Sequence, residues 1–188
     1  MVTLLDLWLP ILLSAVFVFV VSSVLHMVLT YHRADYKRLP DEDATIAALR
    51  QTVGNAPPGY YFFPYSPSMK ELETSAMQEK FRQGPVGMLT LRPSGRPKIA
   101  PSLVQWFLFS LVVSGFAACV AGRGLASGTP YMEVFCLVAT AAFMAYGVGQ
   151  IVDSIWKAVP WSNTVRALID GLIYSLVTAG TFGWLWPR

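Results

Sequence analysis

Charged residues are scarce in this sequence. Asp, Glu, Lys and Arg make up 13% of its 188 residues, whereas hydrophobic residues make up 54%. A soluble domain usually carries about 25% charged residues. This scarcity argues against an ordinary soluble domain and indicates that much of the chain meets lipid.

Recognisable catalytic motifs are also missing. The sequence contains no phosphate-binding glycine loop, no GxGxxG, no HExxH zinc motif and no GxSxG nucleophile elbow. It shows no internal repeat of the kind that marks many carriers. These absences weaken an enzyme or carrier interpretation, although membrane sites are often assembled from scattered residues.

Soft metal ligands are few, with only two histidines and two cysteines in the chain. His26 and His32 would lie about 240° apart around a helix, so they cannot hold one ion if that helix continues. We therefore predict no metal site and no cofactor. Cys119 and Cys136 form no CxxC, and we predict free thiols, with a structural disulfide as the less favoured alternative.

Four stretches of the chain carry no Asp, Glu, Lys or Arg: 7–30, 101–122, 134–152 and 171–187. A membrane-spanning helix needs roughly 20 apolar residues, and helices satisfy their own backbone hydrogen bonds in lipid. The sequence thus predicts an all-α membrane protein, a bundle of four transmembrane helices at about 1–30, 101–122, 132–152 and 167–187. Residues 31–100 would form a partly helical loop between the first two helices.

Lys and Arg are distributed unevenly between the two sides of this predicted bundle. Twelve of the 14 lie in residues 31–100 and 153–166, and only Arg123 and Arg188 lie on the other side. The positive-inside rule then predicts a bacterial inner-membrane protein with a cytoplasmic loop and both termini in the periplasm. The net charge of +3 suits anionic lipid headgroups. Nucleic-acid binding is not expected, because the loop also holds seven acidic residues and no binding motif.

Small residues recur every fourth position in three predicted helices. Such stripes let helix backbones approach closely, inside the bundle or against another subunit. The predicted packing residues are Ser110, Ser114, Ala118 and Gly122, then Ala141, Ala145 and Gly149, then Gly171, Ser175, Ala179 and Gly183. The six tryptophans, Trp106 among them, are predicted to anchor the helices at the headgroup layers.

Polar residues gather at one end of the predicted helices. Because an ionised carboxylate is costly inside a membrane, Asp170 should face the bundle, with His26 or Lys157 as its partner. The predicted cluster is His26, Gln150, Asp153, Lys157, Asp170 and Tyr174. We favour a structural clasp, since no polar path continues to the other side. A proton relay and a site for a lipid headgroup or quinone remain as alternatives.

The 31–100 loop has its own predicted elements. Acidic residues after Pro40 indicate a helix to about Val53, Ser68 caps a helix to Arg82, and 88–92 alternates like a short strand. Between them lies an aromatic run. We predict contact with headgroups or a partner protein for His32, Arg33, Lys37, Arg38, Tyr60, Tyr61, Phe62, Phe63 and Tyr65.

These features favour a non-catalytic accessory or scaffold subunit that docks on a larger membrane complex. Its expected partners are membrane lipids and other membrane subunits or a second copy of itself. The alternative is a small proton-coupled carrier, or a lipid- or quinone-binding protein, that uses His26, Asp153 and Asp170. An integral-membrane enzyme acting on a lipid is a third hypothesis.

Overall fold

The computed structural model describes residues 2–188. In chain order the elements are α1 (Trp8–Ser23), α2 (Glu42–Val53), β1 (Gly59–Phe63), α3 (Met69–Leu72), α4 (Ser75–Gln83), β2 (Gly87–Leu91), α5 (Ile99–Gly124), α6 (Tyr131–Tyr146), α7 (Ile151–Lys157) and α8 (Trp161–Leu185). The chain divides into two compact units. One is a bundle formed by residues 2–37 and 98–188, and the other is a connector formed by residues 38–97.

Four helices of the bundle are long and apolar enough to cross a membrane, which confirms the predicted number of spans. The first to fourth spans cover Trp8–Val28, Ile99–Gly124, Tyr131–Lys157 and Trp161–Leu185. The fourth begins six residues before the predicted start at 167. It was predicted too short because Arg166 was treated as a boundary, whereas its guanidinium pairs with Asp35 and is accommodated within the helix.

Small side chains line the contacts of the second and fourth spans. Ser110, Ser114, Ala118 and Gly122 are buried in the second, and Gly171, Ser175 and Ala179 in the fourth, while Gly183 lies half-buried under the Tyr131 ring. The Ser14 hydroxyl of α1 donates to Ser114 Oγ over 2.9 Å. A Cβ on Gly171 would lie 2.6 Å from Gly147 Cα, so the third and fourth backbones touch there. This close approach is typical of helix packing in membranes.

The predicted packing residues of the third span do not form its contact face inside the bundle. Ala145 and Gly149 are exposed and Ala141 is only half-buried, whereas Val134, Val138, Ala142 and Tyr146 face the core. The valines fill the space left by small residues of the fourth span, which a second small-residue face would leave empty. The helix is also interrupted after Tyr146 by a 3₁₀ turn, Val148–Gln150, so no single stripe continues into α7.

The connector unit is not purely helical, which corrects the predicted all-α class. The aromatic run forms β1 and pairs antiparallel with β2, from Gly59 opposite Leu91 to Phe63 opposite Gly87. Tyr and Phe favour strands, and the alternating 88–92 segment gives them a partner. Tyr60, Phe62, Phe63 and Tyr65 are exposed, while the half-buried Tyr61 donates to the Pro57 carbonyl over 2.6 Å.

The helices of the connector carry side-chain caps. Asp41 accepts from the Ala44 amide at the start of α2. The predicted 68–82 helix is divided into α3 and α4, because Thr74 begins a second helix by accepting from the Met77 amide. In the bundle, Cys119 is half-buried, Cys136 is exposed, and neither is in a disulfide.

Replacing Gly171 by Ala should destabilise the bundle. The added Cβ would meet the backbone of Gly147 rather than a movable side chain, and overpacking of this kind costs about 1–3 kcal/mol. Gly180→Ala is the matched control, because its Cβ would lie 3.7 Å from the Tyr131 hydroxyl, an ordinary contact on the same helix. Thermal unfolding in detergent should show a lower Tm for Gly171→Ala alone. Equal Tm values for both variants would contradict the close approach.

Candidate functional site

The backbone reverses direction at the end of the first span, and no pattern in the sequence predicts this reversal. A π-helical turn, Val24–Val28, leads to Leu29 in extended conformation (φ −80°, ψ 138°). A 3₁₀ turn, Tyr31–Asp35, then returns to the bundle, and we call it the return turn. It stacks the His32 ring on His26, with centroids 4.3 Å apart and planes 11° apart. The expected 240° separation is therefore wrong, because the helix does not continue.

Asp170 is the acceptor on which this end of the bundle converges. The carboxylate is buried, with 4% of the residue exposed. The Tyr31 hydroxyl donates to Oδ1, His32 Nε2 lies 2.7 Å from Oδ2, and His26 Nε2 lies 3.8 Å from the same oxygen. Lys157 was one of its two predicted partners; instead it pairs with Asp153 over 2.7 Å, one turn away on α7. Tyr31 and His32 thus satisfy the buried carboxylate.

Asp35 fastens the other end of the return turn to the fourth span. Its Oδ2 lies 2.6 Å from His32 Nδ1, and its Oδ1 accepts from Arg166 Nη1 over 2.6 Å. Its backbone carbonyl accepts from Asn163 Nδ2 over 3.0 Å. The return turn is therefore held to α8 by side chains at both of its ends.

The surroundings set the protonation of two groups in the return turn. Burial alone would lower the pKa of His32, but its hydrogen bonds to Asp35 and Asp170 outweigh burial and raise that pKa above the ordinary value. Burial, with the hydrogen bond to Asp170, raises the pKa of the Tyr31 phenol well above its usual range. Tyr31 therefore keeps its proton and donates it to Asp170.

A cavity of about 520 Å³ opens beside this cluster. His26, His32 and Asp170 form a polar wall, and an aromatic wall is formed by Trp106, Phe109, Tyr146 and Tyr174. The Trp106 indole donates to Ser22 Oγ over 2.8 Å. Trp106 is thus a half-buried part of the cavity wall, a position that the predicted role as a headgroup anchor did not include.

Two hydroxyls in the aromatic wall, those of Tyr146 and Tyr174, are buried without a partner among residues 2–188. Tyr174 is 4% exposed, and its Oη makes no hydrogen bond with any of residues 2–188. A buried hydroxyl without a partner costs about 1–3 kcal/mol. A molecule in the cavity that accepts a hydrogen bond would remove this cost.

The structure divides the predicted polar cluster. His26, Gln150, Asp170 and Tyr174 line the cavity, but Asp153 and Lys157 do not line it. His32, predicted at the headgroups, belongs to the buried cluster instead, because the return turn carries it inward. Exposed positions are occupied by Arg33, Lys37 and Arg38.

Sequence reasoning missed Tyr31, Asp35, Arg166 and the role of Trp106. The one available signal was the rarity of charged residues in this chain. Asp35 directly follows the first span and Arg166 lies early in the fourth, and such isolated opposite charges predict an ion pair. One of the two reasons for expecting no metal site, the separation of the histidines around a helix, is also removed. His26, His32 and Asp170 each offer a donor atom, and these atoms lie within 4.8 Å of one another.

Comparison of the chain with protein-family models, with curated protein sequences and with solved structures finds no match.

Removing the Asp35 carboxylate should release the return turn. Asp35→Ala takes the charged acceptor from Arg166 and His32, and each charge-assisted hydrogen bond contributes about 1.5–3 kcal/mol. The amide of Arg33, which donates to the Thr30 carbonyl, should exchange hydrogen at least about tenfold faster. Hydrogen-exchange mass spectrometry of residues 29–36 measures this. Lys37→Ala, an exposed change two residues away, is the control. Unchanged exchange in Asp35→Ala would show that the turn does not depend on the clamp.

Proposed function

We propose that this integral membrane protein binds the head of a quinone-type amphiphile in the cavity at the end of its bundle. One observation carries the proposal: a cavity with an aromatic wall contains a buried Tyr174 hydroxyl that has no partner among residues 2–188. Its volume of about 520 Å³ falls within the range of small-molecule sites, roughly 300–1,000 Å³.

The chemistry of the walls favours a neutral, flat head. A quinone offers carbonyl acceptors to the Tyr174 hydroxyl, and its ring can pack against Trp106 and the neighbouring aromatic rings. The described residues that line the cavity include no Lys or Arg. A phosphate headgroup would therefore lack the fixed cations that usually bind it, and two carboxylates, Asp35 and Asp170, lie nearby.

An apolar exit supports an amphiphile rather than a small water-soluble molecule. Met27 and Leu103 line the cavity and are 80% and 41% exposed on the outer surface of the bundle. They belong to the first and second spans, so an isoprenoid tail could leave between these helices into lipid. Both walls and the exit thus fit one molecule with a polar head and a long apolar tail.

The proposal includes a place in the cell. We infer a bacterial inner membrane with both termini periplasmic and residues 31–100 cytoplasmic, which is supported by twelve of 14 Lys and Arg residues on the connector side. The cavity would then open near the cytoplasmic headgroup layer.

The Tyr174→Phe variant should bind a quinone more weakly with little change in fold. Losing one hydrogen bond should raise the Kd for a short-chain ubiquinone or menaquinone analogue about tenfold. Quenching of tryptophan fluorescence in detergent measures the Kd, since Trp106 lies in the cavity. Tyr131→Phe, at the opposite end of the bundle, is the matched control. No saturable quenching in the wild type, or equal Kd values in both variants, would refute the proposal.

We propose as a second candidate the accessory subunit of a larger membrane complex. The small-residue stripes of the second and fourth spans pack inside the bundle, so they do not support external docking. The stripe of the third span does support external docking, because Ala145 and Gly149 are exposed on its surface. Such a face allows close approach of another helix.

The Ala145→Leu substitution should abolish docking on this face. The larger side chain would separate the two helices, as bulky residues do at small-residue interfaces. Affinity purification in mild detergent, with quantification of co-purifying membrane proteins, measures the loss. Met144→Leu is the control, because it places a leucine at the neighbouring exposed position without adding bulk. A wild-type protein that purifies alone would exclude the accessory role.

A further inference from the structure

We infer that His26, His32 and Asp170 form a binding site for one divalent transition-metal ion. His32 Nε2 lies 2.7 Å and His26 Nε2 lies 3.8 Å from Asp170 Oδ2, and the three donor atoms lie within 4.8 Å of one another. The site depends on this ligand geometry and not on the quinone proposal.

The two distances from the imidazole nitrogens to Asp170 are close to those of a filled site. Zinc binds imidazole nitrogen and carboxylate oxygen at about 2.0–2.2 Å, so two donors on one tetrahedral ion lie about 3.3 Å apart. The two donor distances to Asp170 Oδ2, 2.7 Å and 3.8 Å, lie on either side of this value and differ from it by about 0.6 and 0.5 Å.

Outer partners already orient all three ligands. His26 Nδ1 lies 3.0 Å from the Ser22 carbonyl oxygen, and His32 Nδ1 lies 2.6 Å from Asp35 Oδ2. In both rings the Nδ1–H can donate outward. An ion would bind at Nε2 and displace the proton that His32 Nε2 donates to Asp170, and that proton would leave to solvent. A carbonyl or carboxylate behind a ligating imidazole is the usual second layer of a metal site. The Tyr31 hydroxyl holds the other oxygen of Asp170 in the same way.

The donor set selects the class of ion. Two imidazoles and one carboxylate suit Zn²⁺, Fe²⁺ or Co²⁺, whereas Mg²⁺ and Ca²⁺ prefer sites made of oxygen. Three protein ligands leave a coordination position open, as in catalytic zinc and non-haem iron sites. His26, His32 and Asp170 all line the 520 Å³ cavity, so a molecule in that cavity can reach the open position.

The chain suits a direct test, because it contains no histidines other than these two. The full-length protein, purified in detergent with a histidine-free affinity tag and stripped with chelator, is titrated with Co²⁺ and then with Zn²⁺. We expect one Co²⁺ per chain, with visible d–d absorption of a low-coordinate nitrogen and oxygen site, and displacement by Zn²⁺. No bound ion, or several weak ions without such absorption, would overturn the inference.

Substitution of each proposed ligand should identify the residues that bind the ion. His26→Ala and Asp170→Asn should each weaken Co²⁺ binding by at least about 100-fold, and Asp35→Asn, behind His32, by about 10- to 100-fold. Asp153→Asn is the matched carboxylate control, because Asp153 pairs with Lys157 and does not line the cavity. Equal affinity in wild type and Asp170→Asn would overturn the site.

A wild-type measurement keeps the test valid if a variant fails to fold. Half of the His26 side chain is exposed, so diethyl pyrocarbonate should modify it in the stripped protein. Saturating Zn²⁺ should slow that modification at least about tenfold by mass action. An unchanged rate would overturn the inference.

Discussion

One buried carboxylate determines how this end of the bundle is built. Asp170 lies on the core face of the fourth span with 4% of its surface exposed, and an ionised group in such a place requires donors. The fourth span itself cannot supply them, because its backbone amides are used in the helix. The donors come instead from Tyr31 and His32, which reach Asp170 only because the chain turns back after the first span.

The same constraint explains why the return turn is so extensively bonded. A 3₁₀ turn of five residues has little stability of its own. Asp35 adds the missing attachment by binding Arg166 and Asn163 on the fourth span. Arg166 in turn can lie within a membrane helix because its charge is paired. Each of these polar groups is thus stabilised by another. Three of them, His32, Asp35 and Asp170, line the cavity.

Sequence reasoning reached the four spans and the inward position of Asp170, because both follow from the cost of charge in lipid. It did not reach the return turn, since neither the π-helical turn nor the extended Leu29 has a distinctive residue pattern. It did not identify which face of the third span turns inward, because two faces have the same spacing of four, and only the shape of the fourth span decides between Ala145 and Ala142. The aromatic strand β1 was missed because its pairing partner lies about 30 residues further along the chain.

The unequal lengths of the first and fourth spans have a consequence for the choice of membrane. The first span has 21 residues, about 31 Å of helix, which matches a hydrocarbon layer of about 30 Å. On the fourth span, which is longer, Arg166 lies one turn, about 6 Å, before Asp170, toward the start of the helix and the membrane surface. Hydrophobic matching therefore favours a bilayer of ordinary thickness, in which the guanidinium reaches the glycerol region. A markedly thicker bilayer would draw the Arg166–Asp35 pair into hydrocarbon, at a cost that grows with each ångström of mismatch.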